Sequence, residues 1–123
     1  MNFPKELKYS SDHEWVRMEG DVAVVGISDF AQDAMRDIVF VNLPTVGEAV
    51  AADEVFGDLE SVKAVSDMKS PVSGTIAEVN EELLDAPEKL NGDPYGAWIM
   101  KVKNFKAGDL MDADAYEAFC REA

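Results

Sequence analysis

The residue with the clearest chemical potential is Lys63, in the segment Glu60–Ala64, whose sequence is Glu-Ser-Val-Lys-Ala. Two runs typical of β-strands flank it, Val55–Ser61 and Ala64–Lys69, so the sequence predicts a tight hairpin with Lys63 at its tip. A lysine at such a tip is exposed, and no neighbouring cation in the sequence activates its amine for catalysis. Lys63 is therefore a poor nucleophile but an amine that another enzyme could reach and modify.

A second lysine, Lys69, follows a methionine on the returning strand of this hairpin, and a Met-Lys pair is typical of biotin-carrier tips. Those tips place methionine on both sides of the lysine, whereas Val62 and Ala64 flank Lys63. Lys69 also lies on the predicted strand, only five residues before Gly74. We interpret Lys69 as a solvated strand residue.

Length, charge and cysteine count favour a single folded domain and disfavour several classes of protein. The 123 residues, 47% of them hydrophobic, predict a single domain spanning residues 1–123 with one core. The net charge of −14 disfavours partnership with nucleic acid or an anionic membrane, because both would repel the chain. One cysteine excludes an internal disulfide, and no apolar run approaches the ~20 residues of a membrane span. The N-terminal segment lacks the composition of a signal or transit peptide, so we expect a cytoplasmic protein.

The elements that must position Lys63 are short strands separated by turns. Beside the central hairpin, strands are predicted at His13–Met18, Val22–Ile27, Ile38–Leu43, Thr75–Val79 and Trp98–Lys103, and a loop at Phe105–Asp109. Ser28 or Asp29 begins a predicted short helix that ends near Arg36, and Asp112 or Asp114 begins a C-terminal one. Predicted core aromatic residues are Trp15, Phe40, Trp98, Tyr116 and Phe119. The pattern predicts a mainly β fold, a sandwich or flattened barrel with short helices.

The hairpin residues Glu60–Ala64, with Gly74 eleven residues after the lysine in a Pro-Val-Ser-Gly turn, resemble the lipoyl-attachment hairpin of the glycine cleavage system H proteins. Other segments resemble this family in the same order: His13–Val16, Val25–Gln32, Asp37–Pro44, Pro94–Ile99 and, loosely, Leu110–Tyr116. The resemblance spans nearly the whole chain. It implies a barrel-sandwich hybrid fold.

The resemblance also implies a function. It implies that Lys63 carries lipoic acid as an amide and that the chain is a carrier rather than an enzyme, with no catalytic residue of its own. The carrier would move an aminomethyl group and electrons from glycine decarboxylase (P protein) to aminomethyltransferase (T protein) and dihydrolipoyl dehydrogenase (L protein). Glu60 and Ser61 would serve recognition by the lipoyl-attaching enzyme, and Glu14 and Asp67 would shelter the cationic amine on the arm.

Several alternatives stay open. A carrier of this kind could instead hand lipoyl groups to 2-oxoacid dehydrogenases or serve a redox-defence system; a biotinyl carrier or an unmodified domain are further alternatives. His13 is the only histidine and no cysteine cluster accompanies it, so the sequence predicts no metal site. Cys120 is interpreted as a packed apolar residue. Arg36 stands where the family usually ends its helix with glycine, which leaves partner contacts of that loop undecided.

Overall fold

The computed structural model describes residues 1–122. In chain order, its strands and helices are β1 (Lys8–Tyr9), β2 (Glu14–Glu19), β3 (Val22–Ile27), α1 (Asp29–Met35), β4 (Ile38–Asn42), β5 (Ala49–Val50), β6 (Val55–Ser61), β7 (Val65–Lys69), β8 (Val72–Val79), α2 (Glu82–Asp85), α3 (Lys89–Gly92), β9 (Met100–Ala107) and α4 (Ala113–Arg121). The predicted mainly β fold with short helices, one of them near the C-terminus, is confirmed. Within residues 1–122, no helix has the length and apolarity needed to cross a bilayer.

The strands form two antiparallel sheets. The larger has the strand order β1-β2-β3-β9-β8-β5, and the smaller has the order β4-β6-β7. A core fills the space between them, because apolar residues of both sheets belong to one buried cluster; Val25, Ile76 and Val102 come from the larger sheet, and Val41 and Leu59 from the smaller. Val41 and Leu59 pair with each other and are buried, whereas the adjacent Phe40 is exposed, so one face of the small sheet lies against this core and the other faces solvent.

A second buried cluster lies beneath α4 and is largely aromatic. The rings of Tyr9 and Tyr116 stack with 4.5 Å between centroids, and Trp15 Nε1 donates a hydrogen bond to Pro94 O at 3.0 Å. The helix begins where Asp112 Oδ1 accepts a hydrogen bond from Ala115 N at 2.8 Å, as its predicted capping role requires. This cluster fixes the C-terminal helix against β1 and β2.

Some details of the sequence prediction were wrong. The predicted loop at Phe105–Asp109 is strand as far as Ala107, because β9 continues its pairing with β8 up to the Val72–Ala107 pair. Phe40 and Phe119 were expected in the core but have exposed fractions of 48% and 37%. Aromatic character alone therefore did not identify the core, since pairing register and helix orientation decide which side chains face inward.

Arg36 ends α1 with backbone angles that glycine adopts more readily, φ 65° and ψ −149°. Its N–H donates to Gln32 O at 3.0 Å, and Asn91 Nδ2 on α3 donates to Arg36 O at 2.7 Å. The same Asn91 accepts a hydrogen bond from Ile38 N through Oδ1 at 3.0 Å. A backbone conformation of this kind costs about 1–3 kcal/mol, and the Asn91 contacts help to hold it.

Candidate functional site

Lys63 lies at the tip of the β6–β7 hairpin, in the middle of the three-residue connection 62–64. The loop is closed by Ser61, whose N donates to Ala64 O at 2.8 Å, and whose Oγ accepts from Ala64 N at 3.2 Å. Val62 beside the lysine is 81% exposed, and Lys63 is exposed as well. Lys63 is in none of the salt bridges formed within residues 1–122. The predicted hairpin and tip position are thus confirmed, and Ser61 has a structural role in closing the turn.

Close packing of β8 against β9 requires a glycine at position 74, near the start of β8. A Cβ atom at this position would lie 2.6 Å from Val102 Cγ1 and 2.7 Å from Lys103 O on the neighbouring strand β9. Any side chain at position 74 would therefore clash with β9, so only glycine fits there. The glycine of the hairpin motif therefore lets β8 pack closely on β9 directly after the hairpin.

A cleft of about 140 Å³ lies between β7 and α1, and residues just before and at the start of β2 complete its wall. Glu14 and Asp67 both line it, with the aromatic ring of Phe30 and the aliphatic side chain of Leu59. The structure therefore brings together the two carboxylates that the resemblance implied as neighbours. Their environments differ, since Glu14 is only 2% exposed whereas Asp67 is exposed.

Glu14 is a buried carboxyl with a partner from its own chain segment. Ser10 Oγ donates to Glu14 Oε1 at 2.9 Å, and Glu14 N donates to Ser10 Oγ at 3.2 Å. Burial raises the pKa of Glu14 well above its usual range, and the hydrogen bond from Ser10 only partly opposes this. A cation placed in the cleft would favour the ionised carboxylate, so this group can respond to a charged ligand.

A polar network beside the cleft was not predicted from the sequence. His13 Nδ1 lies 2.7 Å from Tyr116 Oη, and Tyr116 Oη lies 2.6 Å from Ser28 Oγ. Ser28 Oγ also accepts a hydrogen bond from Ala31 N at 3.2 Å as the N-cap of α1. The Ser28 hydroxyl is thus free to donate to Tyr116, whose own hydroxyl can then donate to His13. The network ties α4, α1 and the wall of the cleft together.

His13 itself departs from the predicted strand. The strand begins at Glu14, and His13 has a φ of 70°, an uncommon conformation for a residue with a side chain. Burial lowers the pKa of His13, with a smaller opposing effect from Asp12, which favours a neutral ring that can accept from Tyr116. The only sequence signal for this contact was the apolar face of the C-terminal helix, which includes Tyr116.

Two larger cavities lie away from the hairpin. One of about 410 Å³ is lined by Trp98, Lys89 and Asp93 among others, and one of about 350 Å³ is lined by Phe3, Phe30 and Cys120 among others. Neither includes a residue of the β6–β7 hairpin. Within residues 1–122, no group of three or more histidine, cysteine or acidic residues is placed to hold a metal ion. The cleft between β7 and α1 is the cavity that both Glu14 and Asp67 line.

Comparison with known proteins agrees with this geometry. Residues 7–123 match the family described as Glycine cleavage H-protein. The chain belongs to the glycine cleavage H-protein family. A Glycine cleavage system H protein from Bacteroides thetaiotaomicron is 53% identical over 122 residues, covering 96% of this chain and 97% of that protein. One from Halalkalibacterium halodurans is 54% identical over 125 residues, covering 98% of each.

The fold of the family is shared as well. The crystal structure of a glycine cleavage system H protein from Mycobacterium marinum matches this chain with a TM-score of 0.89 and 42% sequence identity, covering 94% of this chain and 96% of that one. The family that the hairpin residues resembled is thus confirmed. A biotinyl carrier, one of the alternatives, finds no support in these relatives.

Proposed function

We propose that this chain is a lipoyl carrier of glycine cleavage and that lipoate is joined to Lys63 through an amide. The observation that carries the proposal is the exposed Lys63 at the tip of a tightly closed hairpin in a member of the H-protein family. The residues present fit such a group, because the amine is accessible and a partly apolar cleft lies beside the returning strand. The chain itself acts as a carrier and not as an enzyme.

Attachment requires an activated lipoyl acyl donor and a second enzyme. The neutral Nζ of Lys63 attacks the acyl carbon, the new C–N bond forms as the bond to the leaving group breaks, and the nitrogen loses a proton. The hairpin contributes position, since the hydrogen bonds between Ser61 and Ala64 hold the tip in one conformation. Glu60 and Ser61 flank the tip, and we propose that the lipoyl-attaching enzyme recognises them.

When bound, the lipoyl group supplies a disulfide that can accept a carbon group and electrons and be reoxidised. The tip position lets Lys63 present that group to successive partners, because a tether raises effective concentration at each site it can reach. The proposed partners are glycine decarboxylase, aminomethyltransferase and dihydrolipoyl dehydrogenase. The acidic chain, with a net charge of −14, suits transient contacts with basic surfaces on these enzymes.

Between encounters, the cleft between β7 and α1 can receive the end of the arm. Asp67 follows Lys63 by four residues, which is about 13 Å along an extended strand. We propose that Glu14 and Asp67 hold the cationic amine that the arm carries, through charge-assisted hydrogen bonds. The aromatic ring of Phe30 and the side chain of Leu59 give the same cleft an apolar wall that excludes water.

Intact mass and peptide mapping of protein made in a lipoate-replete host test the attachment. Wild type should gain one lipoyl mass on the peptide that contains Lys63. Lys63→Arg keeps a cation but loses the acylatable amine, so it should gain none. Lys69→Arg is the matched control on the same hairpin and should be modified like wild type. A lipoyl mass on Lys69, or none on any lysine, would contradict the proposal.

A further inference from the structure

The outer face of the small sheet carries an ordered row of side chains. Phe40 on β4 pairs with Glu60 on β6, and Glu60 pairs with Val65 on β7. Residues paired in this way project from the same face of a sheet, so the three side chains form one row across all three strands. The flanking Val41 and Leu59 are buried, which places the row of Phe40 on the solvent side.

Two of the three side chains in this row are apolar and exposed. Phe40 is 48% exposed and Val65 is 65% exposed, and Val62 at the tip extends the apolar surface to the neighbour of Lys63. A register shift between Ile38 and Phe40 leaves Val39 without a partner, and it is exposed too. Bulges of this kind re-aim side chains. The core does not require these side chains to be large or apolar, and exposed apolar side chains grouped on one face are typical of an interaction site.

The next row on the same face is acidic. Asn42 pairs with Asp58, and Asp58 pairs with Asp67. Asn42 Nδ2 donates to Asp58 Oδ1 at 2.6 Å, which holds that carboxylate in place. With Glu60 between the two apolar side chains, the face has three carboxylates, and Lys69 lies at its far end. A complementary partner therefore has an apolar centre bordered by lysine or arginine.

The position of the face selects one partner. An enzyme that acylates Lys63 must bring its active site to Nζ itself, so its surface must cover the hairpin tip. Val65 lies two residues from Lys63, and the row extends from there across the sheet. Enzymes that act on the far end of the arm are separated from the tip by the length of the arm, so they do not have to cover this face.

We propose that the outer face of β4, β6 and β7, centred on Phe40 and Val65, is the docking surface for the enzyme that acylates Lys63. The inference rests on the proposed function, because it assumes that Lys63 is the acylated residue. It adds an apolar contact to the polar recognition by Glu60 and Ser61. Phe40 and Val65 are positioning residues, since they orient the two proteins and do not touch the reacting atoms.

The test measures acylation of unmodified carrier by a purified ATP-dependent lipoyl-attaching enzyme, at several carrier concentrations, with intact mass as the readout. Phe40→Ser should raise KM at least about fivefold, as expected for an interface anchor, and leave kcat nearly unchanged. Val65→Ser should also raise KM. Met18→Ser is the matched control, because Met18 is 47% exposed but lies on the larger sheet. Its KM should equal that of wild type.

Direct binding gives a readout that does not depend on turnover. In the Lys63→Arg background, calorimetric affinity for the attaching enzyme should fall for Phe40→Ser and stay constant for Met18→Ser. Higher salt should weaken binding between the attaching enzyme and the Lys63→Arg carrier with no other change. Adding Glu60→Gln should reduce that salt dependence. Circular dichroism confirms folding of each variant, and Val65→Ser serves as the decisive variant if Phe40→Ser unfolds.

The outcomes separate this inference from the proposed function. If wild type is acylated on Lys63 but folded Phe40→Ser and Val65→Ser have its KM and affinity, the docking surface is wrong and the carrier function stands. If wild type is never acylated on Lys63, the proposed function itself fails. Lipoylated Phe40→Ser should be reduced by dihydrolipoyl dehydrogenase, with NADH as the electron donor, at the wild-type rate. If Phe40→Ser weakened the reaction with dihydrolipoyl dehydrogenase as much as it weakened acylation, the assignment of the face to the acylating enzyme would be overturned.

Discussion

The hairpin tip and the polar network beside the cleft are built in opposite ways. At the tip, Ser61 and Ala64 bond to each other across three residues of chain, and both Val62 and Lys63 remain exposed. In the network, Tyr116 bonds to His13 across 103 residues and to Ser28 across 88 residues. The tip is local and open, whereas the network is long-range and largely buried.

The contrast separates two tasks of a carrier. A residue that other enzymes must reach is best placed where little of the fold depends on it. A surface that must receive a polar group needs side chains held firmly from several elements, since a buried polar group without partners is costly. Substitutions at the tip should therefore change function with little effect on stability, and substitutions around the cleft should change stability, retention of the cargo, or both.

The largest expected effect concerns retention of the carried amine in the cleft. In water, the aminomethyl group on the arm is lost when its C–S and C–N bonds break, and one water yields the free thiol, formaldehyde and ammonia. Glu14→Gln should leave lipoylation intact but speed this release of formaldehyde from the loaded carrier at least several-fold, because a hydrogen bond to a charged group contributes roughly 1.5–3 kcal/mol. Asp67→Asn should have a smaller effect, since Asp67 is exposed and solvent screens its charge. The measurement is formaldehyde release over time, with loading confirmed by mass.

Asp58→Asn is the matched control for that experiment. Asp58 pairs directly with Asp67 in the sheet but does not line the cleft, so its loss should leave the release rate unchanged. Equal rates in wild type, Glu14→Gln and Asp67→Asn would show that neither carboxylate shelters the amine. An effect of Asp58→Asn as large as that of Asp67→Asn would point to the overall charge of the face instead.

The next effect concerns stability at the network. Tyr116→Phe keeps the ring that stacks on Tyr9 but removes the oxygen bonded to His13 and Ser28. We expect it to lower the free energy of unfolding by about 1–3 kcal/mol, the cost of leaving buried polar partners unsatisfied. Urea unfolding followed by circular dichroism measures this.

Tyr9→Phe is the comparison for Tyr116→Phe, because Tyr9 Oη donates a single hydrogen bond, to Pro4 O at 2.7 Å. Its effect should be smaller than that of Tyr116→Phe. If Tyr116→Phe changes the free energy of unfolding by less than about 0.5 kcal/mol, the range of ordinary surface substitutions, the network does not hold the helices and cleft wall together.

The same contrast explains what the sequence could predict. The hairpin at Lys63 was predictable because its strands, turn and motif are contiguous, and the helix cap at Ser28 follows a local rule. Glu14 and Asp67 were placed in one cleft only through the family resemblance, since 53 residues separate them in the chain. Burial of Glu14 and its hydrogen bond from Ser10 depend on tertiary packing that no local pattern encodes.

The errors have the same origin. Ile38–Val41 is a continuous apolar run, which gave no reason to expect Phe40 outside the core. The register shift after Ile38 is set by pairing with β6 and turns Val39 and Phe40 outward. His13 fitted a strand by composition, but its hydrogen bond to Tyr116 and its φ of 70° place it before the strand. Long-range pairing decided both positions.

The smallest expected effect is on stability at the tip. Unmodified wild type, lipoylated wild type and Lys63→Arg should agree in free energy of unfolding within about 0.5 kcal/mol, as for surface changes away from special features. The lysine side chain is exposed, and the turn is closed by Ser61 and Ala64 without it. Thermal and urea unfolding of the three forms measure this. A loss above about 1 kcal/mol on removing the lipoyl group would mean that the arm packs as part of the fold, and the contrast between an open tip and a firmly held cleft would then fail.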